Sequence, residues 1–235
     1  MPKSIKKESE EVIDPAVAVD QVEFESNGTV EEKIRVLAKK YSNSLKLKID
    51  ERVAAMKEDN NTHYLIYQVL GISDKEGELI DVYQNKGRFL YKYAGSFLEA
   101  AAILCFKEKF PEAQAKLRIP NTIGQRPATF EIDCLIGNDA YEIKWRDATT
   151  DGDHITKEHT RLKNINNAGY RPIRVMFYYP NRDQAIRIQQ TLRTLYLGFK
   201  GEYYFGDDAW DHIKKSTGVD LKDILTKIAK ENTGK

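Results

Sequence analysis

The eighteen residues Thr129–Arg146, TFEIDCLIGNDAYEIKWR, constrain the chain more than any other stretch. Two short alternating runs flank Gly137-Asn138-Asp139, a turn-forming cluster, and this pattern predicts a β-hairpin. In the first run Phe130, Ile132 and Cys134 are expected on one face, with Glu131 and Asp133 on the other. In the second, Tyr141, Ile143 and Trp145 alternate with Glu142, Lys144 and Arg146. If both apolar faces cover one core, Asp133, Glu142 and Lys144 project together from the opposite side. Two carboxylates and an ammonium are the equipment for holding a divalent metal and activating a water.

An acid-x-Lys triplet is weak evidence alone, and the chain has three, beginning at Glu31, Glu142 and Asp220. The first and last fall in helical patterns with no second acid on a neighbouring strand. Only Glu142-Ile143-Lys144 lies on a strand expected to pair with one bearing an inward acid. A hard cation such as Mg²⁺ takes oxygen ligands, usually one or two carboxylates plus waters and phosphate oxygens. Asp133 and Glu142 supply carboxylates, the Ile143 carbonyl a third oxygen, and Lys144 a charge beside them. The competing reading is an exposed Glu/Lys ladder on a solvated strand face.

The flanking sequence supplies more candidates. Between Lys92 and Lys107 the only charged side chain is Glu99, in a helical pattern running from about Lys86 to Phe110. A lone carboxylate among Ala, Ile, Leu and Phe is costly to bury unpaired. It therefore either reaches water or a lysine at the helix edge or points into the pocket of Asp133 and Glu142. Arg118, Asn121, Gln125 and Arg126, before the hairpin, are donor-rich side chains suited to phosphates and base edges. The stretch after it offers Arg146, Thr149, Thr150, Asp151, His154, Lys157 and Arg161.

Taken in order, residues 1–28 carry three lysines against seven acids and are expected to form a flexible acidic arm. Residues 29–235 are expected to form a single domain: a helical region (29–85), an α/β core (86–206) and C-terminal helices (207–235). Thr29 and Glu32 have capping-box spacing at the start of that region, which reads as a dimer support or a cleft wall. Arg174–Tyr179 is a near-continuous apolar run and predicts a strand in mid-sheet. The order strand, strand, helix, strand, helix predicts an α/β fold: a central mixed β-sheet flanked by helices, with N-terminal and C-terminal helical additions.

No run reaches the roughly 18 apolar residues of a membrane span, and the first residues lack an apolar signal core. Cys105 and Cys134 both fall in apolar runs, so buried free thiols and a cytoplasmic location are expected, with no membrane partner and no small-molecule cofactor. Net charge is +1 overall, but −4 for residues 1–28 and therefore +5 for residues 29–235, a mild pointer to an anionic partner.

EID followed by EIK on a hairpin, after a helix carrying one inward Glu, resembles the PD-(D/E)xK nuclease superfamily and, within it, type II restriction endonucleases. The phrase RPATFEID…AYEIKWRDATTDGDHITKEHTR is most similar to the ApaLI-like group. The resemblance covers residues 88–180. It implies a restriction-endonuclease-like core with Asp133 and Glu142 as metal ligands, Lys144 as the catalytic lysine and Glu99 as the helix-borne acid that completes the site. The superfamily's nominal Pro-Asp is Ile132-Asp133 here. The resemblance further implies a Mg²⁺-dependent endonuclease acting as a homodimer on a palindrome in double-stranded DNA, of GTGCAC type if the ApaLI likeness holds. A repair nuclease or junction resolvase on the same core, and a non-catalytic DNA-binding protein, are the alternative readings.

Overall fold

The structure is a computed structural model, and it describes residues 13–25, 27–124, 126–147 and 153–234. Strands β1 (Gln114–Pro120), β2 (Thr129–Ile136) and β3 (Asp139–Arg146) form an antiparallel meander. Strands β4 (Arg171–Tyr178) and β5 (Glu202–Phe205) add parallel to β3, giving one mixed sheet in the order β1-β2-β3-β4-β5. The predicted hairpin is present. Gly137 takes φ +55 in its two-residue turn, a conformation that costs glycine little.

The described residues form eight helices: α1 (Pro15–Glu25), α2 (Val30–Glu58), α3 (Tyr64–Val69), α4 (Asp74–Lys109), α5 (Asp153–Asn167), α6 (Asp183–Gly198), α7 (Asp207–Thr217) and α8 (Leu221–Thr233). Helices α1, α2, α4, α7 and α8 share one core with Tyr141, Ile143, Ile173, Val175 and Phe177 of the sheet. Helices α5 and α6 cover the other face, where Leu162, Leu192 and Tyr196 meet Met176 and Tyr203. Strand β4 is thus buried on both faces, which is why its sequence reads as an unbroken apolar run.

Three expectations are corrected. Residues 1–28 are not an arm throughout: α1 lies within them and buries Ala18, Val19 and Val22 against α4. Helix α4 starts at Asp74, where Ser73 and Glu76 form a capping box, and not near Lys86. Phe130 and Ile132 do not share a core with Cys134. The first two pack with Ile119, Leu135, Ala140 and Ile165, whereas Cys134 packs with Tyr141 and Ile143. Strand β2 changes sides at Asp133, whose neighbour across β1, Lys116, takes φ +55 and is left out of the pairing along with it.

By length and composition α4 contains a window apolar enough to cross a membrane. In the fold that window is mostly buried, and Ala100 to Phe106 are sealed in the main core. Both cysteines are free and buried.

Where the chain turns from α6 into β5, Gly201 lies so close to β4 that an added Cβ would stand 2.1 Å from the Pro172 carbonyl oxygen and 3.0 Å from that of Tyr196. Neither backbone atom can yield without disturbing a strand or a helix end. Gly201→Ala is expected to destabilise the chain by about 1–3 kcal/mol, the usual range for forced overpacking. Urea unfolding should show the midpoint falling at constant slope; an unchanged midpoint would contradict this packing.

Candidate active site

Strands β2 and β3 pair at only three positions, Ile136–Asp139, Leu135–Ala140 and Cys134–Tyr141, and then part. Beyond the last pair the Ile143 N–H has no partner strand on that side, and Asp133 supplies one: its Oδ2 accepts that N–H at 2.8 Å. The Asp133 carboxylate is thereby lodged in the opening between the strands. Glu142 lies one residue beyond the last pair on β3, held there by pairing with Arg174 of β4. Lys144 Nζ sits 2.6 Å from Glu142 Oε1 and 3.8 Å from Asp133 Oδ2. The structure therefore brings Asp133, Glu142 and Lys144 together, with the Ile143 backbone between them.

Both carboxylates are buried. Burial and the adjacent Glu142 push the Asp133 pKa up. Burial works the same way on Glu142, but Arg161 and then Lys144 outweigh it and hold that carboxyl well below the usual range. Lys144 is opposed by its own burial, yet Glu142 and Asp133 keep its pKa raised, so it remains an ammonium.

On the α4 side, Lys116 of β1 pairs with Glu99, lies 2.9 Å from Glu131 Oε1 and reaches Asp133 Oδ1 at 3.2 Å. Glu99 therefore meets a lysine and, through it, the pocket of Asp133. Burial first, and then Asp133, raise the Glu99 pKa to about 7. On the α5 side, Arg161 pairs with Glu142 and, at 3.3 Å, with Glu158, and donates to the Glu131 carbonyl at 2.8 Å. Arg174, fully enclosed on β4, meets Asp147 at 3.0 Å and Glu158 at 3.4 Å. The Tyr196 hydroxyl donates to Glu158 at 2.5 Å.

Of the two stretches that flank the hairpin, the structure places some residues at the surface and others inside. Arg118, Arg126 and Lys157 are exposed. Arg146 is exposed as well, with its guanidinium over the rings of Tyr91 and Trp145. Asn121 is spent on its own loop, accepting from Ile123 and Gly124 and donating to the Pro127 carbonyl. His154 lies 3.2 Å from Asp147. Arg161 does not face outward, because α5 turns Glu158, Arg161, Leu162 and Ile165 toward the sheet at helical spacing. Gln125, Thr149, Thr150 and Asp151 lie outside the described residues.

Between α4 and the end of β3 opens a cleft of about 540 Å³. Tyr91, Gly95, Ser96 and Glu99 form one wall, and Ile143 to Arg146 the other. Lys144 is the member of the central trio that reaches solvent, with about a third of its side chain exposed.

The family model of the ApaLI-like restriction endonucleases matches residues 9–230, nearly the whole chain. The chain belongs to that family. No curated protein and no solved structure matches it. Family membership implies a nuclease that binds DNA, and it extends beyond the resemblance seen over residues 88–180, through most of the N-terminal region and the C-terminal helices.

Among the described residues no three His, Cys, Asp or Glu groups lie together as a ligand set of their own. What the chain presents here is two buried carboxylates, Asp133 and Glu142, part of the oxygen set that Mg²⁺ completes with waters and substrate oxygens. The surrounding cluster holds six carboxylates (Glu99, Glu131, Asp133, Glu142, Asp147, Glu158) against five cations (Lys116, Arg118, Lys144, Arg161, Arg174), a net −1 when all are ionised. The donors on offer are all oxygen, which fits a hard divalent cation.

Sequence reasoning did not find Lys116, Glu158 or Arg174. A signal existed for Arg174, a lone charge at the head of a buried strand, and for Glu158, three residues before Arg161. None existed for Lys116, which meets Asp133 only once the β1–β2 register is known.

Arg161→Leu would leave Glu142 and Glu158 buried without their shared cation, at a cost of about 3–5 kcal/mol. Because the Glu142 pKa is depressed in the folded chain, its contribution is present above the ordinary unfolded value and is lost as pH falls through the folded one. The stability difference between wild type and Arg161→Leu should accordingly be largest at neutral pH and shrink in acid, as urea titrations at pH 7 and pH 4 would show. A difference that grew in acid would contradict the pairing.

Proposed function

We propose that this chain is a type II restriction endonuclease that hydrolyses phosphodiester bonds in double-stranded DNA at a short palindrome, with Mg²⁺, as a homodimer. The observation that carries the reading is the Asp133 carboxylate in the opening between β2 and β3, bonded to the Ile143 N–H and facing Glu142 and Lys144. Asp133, Glu142 and the Ile143 carbonyl would hold the ion. Once bound, it supplies Lewis-acid polarisation of the phosphodiester and offsets charge developing on its oxygens.

The chain's own groups do the rest. Lys144 presents its ammonium at the floor of the cleft, where it orients the attacking water and stabilises the additional negative charge of the transition state. Arg161 keeps Glu142 ionised. Glu99 and Lys116 position Asp133 from the α4 side. Arg118, Arg126, Arg146 and Lys157 are the exposed cations placed to meet the DNA backbone or base edges, as phosphate contacts orient the duplex and edge contacts select the sequence. Two-fold symmetry matches a palindrome, each protomer cutting one strand.

Plasmid DNA bearing GTGCAC sites, incubated with the protein and Mg²⁺, should give discrete bands. A smear would replace site specificity with general nuclease action, and cutting confined to branched DNA would indicate a resolvase. No cleavage of any DNA with any divalent metal would sink the enzyme reading. Asp133→Ala and Lys144→Ala should each lower cleavage by about 10²–10⁴-fold, the scale of losing one positioned catalytic group. Specific binding should remain measurable by gel shift with Ca²⁺. Glu99→Gln, which acts through Lys116, should cost about 10–100-fold, as removal of an outer partner of a ligand does. Wild-type cleavage by Asp133→Ala or Lys144→Ala would show the site to be misassigned.

A further inference from the structure

Helices α2 and α4 run side by side in opposite directions: Lys33 pairs with Glu108 near one end, and Arg52 bonds Asn85 near the other. Only part of this hairpin belongs to the core. The buried residues of α2 are Ile34, Leu37 and Tyr41, all in its first half, and those of α4 other than Gly77 begin at Phe89. The fifteen residues of α4 before Phe89 therefore extend about 22 Å beyond the core at 1.5 Å per residue. Helix α3 packs at the tip of this arm.

The arm is apolar where it meets solvent. On α3 and its C-cap, Leu65, Ile66, Val69 and Leu70 are 59–73% exposed. On α4, Leu79, Ile80 and Tyr83 are 48–67% exposed. From Tyr64 to Ile72 there is no charged residue. These seven side chains expose on the order of 700 Å², more than the largest patch of an ordinary monomer and close to the roughly 800 Å² per partner of a standard interface. On α4 the apolar residues stand among charges of both signs, Lys75 and Lys86 against Glu76 and Glu78, with the Lys86 ammonium 5.9 Å from the centre of the Tyr83 ring. No single sign of charge dominates the face, so like faces can meet without the repulsion that one sign would bring.

The α4 stripe continues past Gly87 to Leu90 and Tyr91, and Tyr91 lines the catalytic cleft. Gly87 is a second observation. Glycine inside a helix costs about 0.5–1 kcal/mol relative to alanine, yet a Cβ there would meet nothing within 4 Å in this chain. Nothing inside the protomer requires its small size, whereas close approach of another chain would.

We propose that the arm built from α3 and the start of α4 is the surface on which a second copy of this chain docks, related by a two-fold axis. This rests on the proposed function only for its symmetry, a palindrome being cut by two equivalent protomers. Docking along this stripe sets the second copy beside the mouth of the cleft, where one duplex can reach both sites.

The test is sedimentation equilibrium of the full chain without DNA or metal, so its outcome does not depend on cleavage. Wild type is expected to be a dimer at micromolar concentration. Val69→Lys combined with Tyr83→Lys should shift dimer dissociation by at least 100-fold and give a monomer with an unchanged far-UV circular dichroism spectrum. Leu197→Lys, an equally exposed apolar position on α6, should leave the dimer intact. A monomeric wild type, a dimer that survives the double substitution, or a dimer broken equally by Leu197→Lys would overturn the assignment. A dimer that the arm variant dissociates but that cuts no DNA would uphold the surface and reject the nuclease reading.

Discussion

Strands that part in mid-sheet leave backbone groups without partners, and an unmatched buried N–H costs about 1–3 kcal/mol. In this chain the parting of β2 and β3 leaves the Ile143 N–H in that position, and the Asp133 carboxylate takes the place of the missing strand. That single bond fixes the acid in a gap lined by a second buried acid, Glu142. Two carboxylates so placed repel, and the fold answers with Lys144 between them, Lys116 behind one and Arg161 behind the other. The ion-pair network of α5, β4 and α6 follows from stabilising those cations in turn.

The gap also solves a problem of sidedness. In an unbroken sheet, side chains on opposite faces cannot meet across the backbone. Glu142 meets Arg161 from the face covered by α5, whereas Glu99 and Lys116 approach from the face covered by α4. The change of side at Asp133, opposite the left-handed backbone of Lys116, lets one carboxylate answer to both. A non-glycine residue costs about 1–2 kcal/mol in that conformation. The three carboxylate contacts of Lys116 are what hold it there.

How much of this was legible follows from what each signal depends on. The hairpin, the central trio and the mixed sheet were readable because alternation and turn residues act over a few positions: Gly137-Asn138 ends one strand and begins the next. Glu99 stood out because a charge inside an apolar run needs an explanation. Helix α1 was not readable: its acids obscured three apolar positions, Ala18, Val19 and Val22, whose burial depends on α4 from far along the chain. The start of α4 was missed although Ser73 and Glu76 marked it, because the two glycines that follow weaken a helical pattern. The sidedness of Cys134 and the role of Lys116 depend on a break in the pleat that no period describes. Arg161 looked like a surface cation because its partners, Glu142 and the Glu131 carbonyl, come from other elements.

Helix α4 joins the parts that act at a distance. One continuous helix carries the apolar arm at its start, the wall of the cleft in its middle and Glu99 beyond. Leu79 and Glu99 are twenty residues apart, about 30 Å along a straight helix. The arm and the cleft are therefore joined by one helix, without an intervening loop. In the proposed dimer, two such rods joined at their arms would hold two clefts at a spacing fixed by helix geometry. The core requires the second half of α4 to be apolar; most of the first half meets α2 and α3 instead, through bonds such as Arg52 to Asn85 and Tyr67 to Asp81, which leaves its other side free to be apolar for a different reason.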